Sequence, residues 1–266
     1  MQSESGLSFL SRVCGRPNAE LCLGPGLPPL TSQLTRLECQ GSHADHQDLI
    51  TALITDITGR LTHQLEAGVV LVDCSHKFSV RRLARLLEVN MRREAESKYK
   101  DMKEAGLSKE ERQQGRLTSV RQWEAVRTAL TRLLMVHIHT PDCLETSILN
   151  LENILAENTN ISAVILLGLN SFYHQIQAEE GISYSAYMKR LKSLITGACS
   201  EHKDTVKILS VELNIFGDKT DSDEDQIGAN KPSSIVIENS STGYAVHFQG
   251  HSAAFSFDDN NMMTWN

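Results

Sequence analysis

Leu37-Glu38-Cys39-Gln40-Gly41-Ser42-His43-Ala44-Asp45-His46-Gln47-Asp48-Leu49-Ile50 is the stretch on which the reading of this chain turns. It has the layout of a phosphate-binding loop: a short strand, a tight turn opened by Gly41, then an amphipathic helix. A working loop reads G-x-x-x-x-G-K-[ST]. Its glycines let backbone N–H groups close on the phosphates, its Lys reaches the β- and γ-phosphates, and its hydroxyl holds Mg²⁺. Aligned from Gly41, His46 stands at the second Gly, Gln47 at the Lys and Asp48 at the hydroxyl. Asp45 and Asp48 would also face the anion that a helix N-terminus otherwise attracts. Read as a nucleotide site, the stretch is degenerate. Read more plainly, it is a strand–turn–helix with Asp45 or Asp48 as the helix cap.

Working outward, the pattern alternates. Residues 34–39 form a first strand, and Leu49, Ile50, Leu53, Ile54, Ile57, Leu61 and Leu65 mark a helix over 47–66 that Gly68 stops. Val69-Val70-Leu71-Val72 is a continuous apolar run, as in a strand buried on both faces of a parallel sheet. A helix over 79–91 turns Val80, Leu83, Leu86 and Leu87 inward. Residues 92–118 are densely charged with both signs mixed, which reads as a solvated helical arm or a disordered insertion. Helical character resumes near Val120-Arg121-Gln122-Trp123, and Leu133 to His139 is a third strand. Pro141 opens a helix whose face is Leu144, Ile148, Leu151 and Leu155. A fourth strand over 161–167, a helix at about 183–199 and a fifth strand over 206–211 complete the alternation. The rhythm predicts an α/β fold: a doubly wound, mostly parallel sheet with right-handed crossovers. After residue 214 come an acidic loop, Asp218 to Gln226, and two or three C-terminal antiparallel strands at 234–238, 244–248 and 254–257.

Upstream, residues 3–14 can form a short helix, and 17–33 hold four of the six prolines and read as an extended connector. The expected organisation is thus a short helix and connector over 1–33, then a single core domain over 34–266 with the charged insertion at about 92–118. The 40% hydrophobic content supports a packed core. A net charge of -7 and pI near 5.8 argue against nucleic-acid binding through the overall field. No apolar run approaches the roughly 18 residues of a membrane span, and the start lacks the pattern of a secretory signal. Six scattered cysteines without a C-x-x-C pair fit a reducing compartment.

Three further stretches join the degenerate loop. Val72-Asp73-Cys74-Ser75, followed by Phe78, stands where a D-T-E triplet ends the second strand of the RecA-type recombinase fold, with Ser75 at the place of the general base. Gly168 replaces the Asp that ends the fourth strand there, and Ser171-Phe172-Tyr173 follows it. With Glu4-Ser5-Gly6, the loop at 37–50 and the runs 69–88 and 161–173, the chain resembles the eukaryotic recombinase paralogues of homologous recombination over residues 1–210. The resemblance implies a RecA-like, P-loop NTPase fold with a degenerate nucleotide site at Gly41, Ala44, His46, Gln47, Asp48, Asp73, Ser75 and Gly168. It implies no catalytic residue, no metal and no cofactor. It also implies a nuclear protein in a heteromeric complex with other recombinase paralogues, most directly the D-type one, acting indirectly on the main recombinase filament and DNA and not on a membrane, possible roles including meiosis. An ATP-binding, DNA-dependent ATPase of the same fold and a regulatory subunit of an unrelated α/β enzyme are the rival readings.

Other constellations carry less. His137 and His139 share a strand face, and His43 would approach them, with His46, if strands one and three were neighbours; no Cys or carboxylate spacing supports a metal geometry. Ser75-His76 beside Asp73 holds the residue types of a nucleophilic triad, but neighbours at a strand end are expected to point apart. Loops at 174–181 and 214–231 occupy the DNA-facing places of the RecA-type fold, yet the second is acidic and would repel phosphate. Tyr184 and Tyr187 read as a packed helix face or as a stacking platform for bases. Assembly in the resembled family uses an F-x-x-A linker segment; here Phe9 has Arg12 at +3, so the chain is expected to accept a partner's segment on an apolar sheet edge rather than donate one.

Overall fold

Val69 to Val72 lie on the second strand from one edge of a nine-stranded sheet with helices on both sides, and every residue of their strand is buried. The protein is described here by a computed structural model, over residues 27–30, 34–39, 43–104, 119–202, 205–212, 234–240, 243–257 and 263–265. Strand β1 is Leu34–Cys39. Helix α1 is His43–Gly59 and runs on through a π-helical turn, Arg60–Gln64. Strand β2 is Gly68–Asp73, α2 Val80–Glu104, α3 Ser119–Thr131 and β3 Leu133–His137. Helices α4, Pro141–Leu149, and α5, Leu151–Glu157, lead to β4, Ile161–Leu167. A 3-10 turn, Leu169–Phe172, opens α6, Tyr173–Glu180. Then come α7, Tyr184–Ala198, and β5, Lys207–Val211. Strands β6 to β9 are Ser234–Ser240, Gly243–Phe248, His251–Phe257 and Met263–Trp265.

The sheet has the order β3-β2-β4-β5-β1-β6-β7-β8-β9. Strands from β3 through β6 pair in parallel, and β6–β7, β7–β8 and β8–β9 pair antiparallel. This is the RecA-like α/β architecture expected, with the C-terminal strands extending the same sheet through a parallel β1–β6 pair. Alternate residues of each central strand feed two cores. Val69, Leu71, Ile165 and Leu209 meet α1, α2 and α3 on one side. Val70, Val72, Val164 and Ile208 meet the faces of α4 to α7 on the other. Both faces covered is why these strands read as unbroken apolar runs.

Helix α1 lies between the sheet and α2, and its residues 49–59 are all buried. Two of its buried threonines bond back to the helix, Thr55 Oγ1 donating to Thr51 O at 2.6 Å and Thr62 Oγ1 to Thr58 O at 2.8 Å, whereas the buried Thr58 hydroxyl has no hydrogen-bond partner among the described residues. At Gly59 a Cβ would stand 3.2 Å from Leu86 Cδ2, so the bare backbone lets α1 and α2 approach closely.

Several sequence expectations are corrected. Helix α1 begins at His43, not at 47, and ends before Gly68, which instead opens β2; Leu65 is outside it and exposed. Val80 is exposed, because the inward row of α2 is Leu83, Leu87 and Met91 at i, i+4, i+8 with Leu86 beside it. Helix α2 does not stop at 91 but continues through the first half of the charged insertion to Glu104; residues 105–118 lie outside the described residues. The helix opened by Pro141 breaks at Asn150 into α4 and α5, although Leu144, Ile148, Leu151 and Leu155 are buried as expected. The expected loop at 174–181 is helix α6, anchored by buried Tyr173 and Ile176 and closed by Gly181 at φ 69°. The helix expected over 3–14 and the acidic loop 214–231 lie outside the described residues.

Candidate functional site

All ends of parallel strands that could hold a ligand lie on one edge of this sheet, the carboxyl edge. At β1 the helix starts at once. Ala44, His46, Gln47 and Asp48 are in the first turns of α1, where a phosphate loop would still be open. Gly41 lies outside the described residues, as do the side chains of 44–48. Without a second glycine the chain has no reason to hold an open run of N–H groups, and alanine at position 44 favours winding into helix.

At β2 the structure is explicit. Asp73 is fully buried. Its Oδ1 accepts from Ser75 N at 2.9 Å and from Ser75 Oγ at 2.7 Å, and its Oδ2 accepts from Phe78 N at 3.1 Å. Ser75 Oγ in turn accepts from Lys77 N at 3.3 Å. The carboxylate therefore organises the turn between β2 and α2, as Asp and Ser side chains do in local turns. Here the expectation that Asp73 and Ser75 point apart is overturned: the strand ends at Asp73, so Ser75 is on a turn that folds back. The triad still does not form. Both functions of the Ser75 hydroxyl are taken by Asp73 and Lys77. Neighbouring Cys74 is buried, its N–H bonds Leu167 O at 2.9 Å, and burial with the Asp73 charge pushes its thiol up to about 12.

At β4 Gly168 adopts φ 73°, ψ 39°. An added Cβ would meet Ser75 Cβ at 2.9 Å and Ser171 Oγ at 3.0 Å. The structure brings Asp73, Ser75 and Gly168 together as a closed contact in which a carboxylate at 168 has no room.

The histidines regroup. Strand order puts β1 four places from β3, about 19 Å across the sheet, so β1 and β3 are not neighbours and the route by which His43 was to approach His137 and His139 is gone. Their neighbour is His76, whose ring stacks on His139 at 4.6 Å and on His137 at 5.9 Å between centroids. All three are exposed. His76 has φ 56°, a left-handed residue that turns the chain toward α2. Among the described residues no three are arranged to hold a metal ion. The tyrosines pack: Tyr187 is buried and donates to Leu169 O at 3.0 Å, and Tyr184 donates to Glu212 Oε2 at 3.0 Å. Glu212, buried at the end of β5, also pairs with Arg36 at 2.6 Å. Sequence reading missed this pair; its signal was an acid directly after the apolar run 206–211.

The lateral edge is different. Strand β3 pairs only with β2 among the described residues. Leu134 is 41% exposed on it, and Trp123 of α3 is 62% exposed. Trp123, Val126, Arg127, Leu130 and Thr131 line an apolar groove of about 380 Å³.

No protein-family model and no curated protein sequence matches the chain. Among solved structures it is similar to one described as the crystal structure of the RadB recombinase, with a TM-score of 0.52, 13% identity and 98% of each chain covered. At that identity the likeness establishes the RecA-like fold.

Proposed function

We propose that this chain is a recombinase paralogue without nucleotide chemistry, acting within a heteromeric complex that supports DNA double-strand-break repair by homologous recombination. Within that family the segments 37–50, 69–88 and 161–173 most resemble the paralogue called X-ray repair cross-complementing protein two. The observation that carries the non-catalytic part is the closed carboxyl edge. Asp73 is consumed by three hydrogen bonds within its own turn, and Gly168 leaves no space for a metal-binding side chain. Function then rests on surfaces. The partner is another recombinase paralogue, the D-type one first, in the nucleus. It docks an extended linker segment on the β3 edge, with the α3 groove on one side of the sheet and exposed Leu134 on the other.

Two measurements test this. Calorimetry with Mg-ATP is expected to give no heat of binding; micromolar binding abolished by Gly41→Val would make the chain a nucleotide-binding member of the fold. A synthetic linker peptide from the partner is expected to bind residues 34–266 as well as the full chain. Capture that needs residues 1–33, with the truncated core still folded, would make this chain the donor and overturn the docking scheme.

A further inference from the structure

Opposite β3, the other edge of the sheet is closed by its shortest strand among the described residues. Strand β9 is three residues long and pairs with β8 alone: Trp265 with Phe255, Thr264 with Ser256 and Met263 with Phe257. So short a ladder carries few hydrogen bonds, and side chains must hold it. Met263 is buried, the Trp265 ring lies 5.3 Å from that of Phe255, and the strand touches α1. What it covers on α1 is charged. Asp56 is 7% exposed, and its Oδ2 accepts from Arg60 Nε at 3.0 Å across the junction of α1 with the π-helical turn. The buried Trp265 indole N–H faces the same carboxylate but has no hydrogen-bond partner in good geometry among the described residues. Docked β9 therefore keeps two polar groups from water without fully satisfying either. Both costs are relieved when the strand leaves.

We propose that β9 is a releasable strap on α1, gated by the charge on Asp56: it docks over the neutral carboxyl and lets go of the carboxylate. The groups that face Asp56 set the sign. Arg60 of its own helix is the cation beside it, and β9 presents the uncharged indole. Helix α2 meets α1 at Gly59 through Leu83, Leu86 and Leu87, all uncharged. Burial raises the Asp56 carboxyl above its ordinary value of 3.8, outweighing Arg60 and the indole, which both lower it. Release of β9 removes part of the burial and the indole but leaves Arg60. The released form thus holds its proton less tightly than the docked form. Docking is strongest at low pH and is lost as pH rises through the raised value of the docked form. The consequence is a second strand edge, β8 at Phe255 to Phe257, that is covered or bare according to one proton. It lies at the far side of the sheet from β3 and stands whether or not a partner docks there.

The chain has two tryptophans, so Trp123→Phe leaves Trp265 as the sole indole reporter. Acrylamide quenching of its fluorescence is followed in the full chain from about pH 4 to about pH 8, with circular dichroism recorded alongside to show that the chain stays folded. Quenching is expected to rise with pH in a one-proton step lying above 3.8. Within that step the ratio of docked to released strand falls by up to about tenfold per pH unit. Asp56→Asn, which keeps the shape and removes the charge, is expected to hold quenching at its low-pH level throughout. Arg60→Gln removes a cation that favours the carboxylate and is expected to move the step to higher pH. That second variant decides the matter if Asp56→Asn does not fold. Quenching that is flat with pH in the parent, a step that Asp56→Asn retains, a step unmoved by Arg60→Gln, or quenching that falls with pH while the chain stays folded overturns the proposal.

Discussion

The carboxyl edge and the β3 edge of the same sheet have opposite characters. At the carboxyl edge the Asp73 carboxylate and the Ser75 hydroxyl are both satisfied within the β2–α2 turn, and Gly168 is pressed against Ser75. At the β3 edge a strand has no partner on one side among the described residues, with Leu134 and Trp123 exposed. Buried polar groups are costly unless satisfied, and the buried Asp73 carboxylate is satisfied by its own turn. Exposed apolar groups carry no such local remedy and call for another surface. Under the proposed function, internal hydrogen bonding is the expected mark of a ligand site without its ligand, and an uncovered apolar surface the expected mark of a docking face.

The comparison is most easily broken at Gly168. Gly168→Asp puts back the residue type expected at that strand end, but at positive φ and with its Cβ inside contact distance of Ser75. The left-handed conformation costs about 1–2 kcal/mol and the overpacking about 1–3 kcal/mol, so a loss of several kcal/mol in urea unfolding is expected, without gain of Mg-ATP binding. Asp73→Ala should follow closely, at about 2–3 kcal/mol, since it strands the Phe78 and Ser75 amides. If either variant were as stable as the parent, the edge would not be the self-satisfied structure described.

The opposite edge should answer in the opposite sense. Trp123→Ala and Leu134→Lys are expected to change folding stability by no more than about 0.5 kcal/mol, as exposed positions do. If Trp123 anchors the partner, its removal should cost about 2 kcal/mol of binding, roughly thirtyfold in Kd, by the scale of interface hot spots. A large loss of folding stability with unchanged partner affinity would reverse the assignment of this edge from docking surface to core.

The smallest effect sharpens the contrast chemically. Cys74 is buried at the closed edge with its thiol pushed up to about 12, whereas Cys143 is exposed on α4. Peptide mapping after a short maleimide pulse at pH 7.5 should find Cys143 labelled and Cys74 and Cys199 unlabelled until urea is added. Reactivity follows the thiolate fraction and access. Early labelling of Cys74 would mean that the β2–α2 turn opens in the native state.

Much of the scaffold was legible because its signals are local. The apolar runs at 69–72, 161–167 and 206–211 are strands since both faces are buried, and that requirement is written into consecutive residues. Pro141 behind Thr140 marks a helix start, and the structure shows the Thr140 hydroxyl accepting from Cys143 N. The loss of the glycine, lysine and hydroxyl of a phosphate loop is likewise a matter of residue identity at fixed spacing. What sequence missed depends on surroundings. Helix α6 is two turns long and mostly polar, so only the burial of Tyr173 and Ile176 holds it. Val80 and Leu83 read alike, yet which one points inward is set by where α1 lies. The histidines at 137 and 139 found His76 rather than His43 because β3 was placed at the sheet's edge. The sequence by itself determined the alternation of elements and the departure from G-x-x-x-x-G-K-[ST] at residues 41–48, because both reside in residue types at short range. Only the tertiary structure decided that Asp73, Ser75 and Gly168 close on one another and that β3, not β1, is left at the edge, because strand order is fixed by how crossovers pack and not by any residue within a strand.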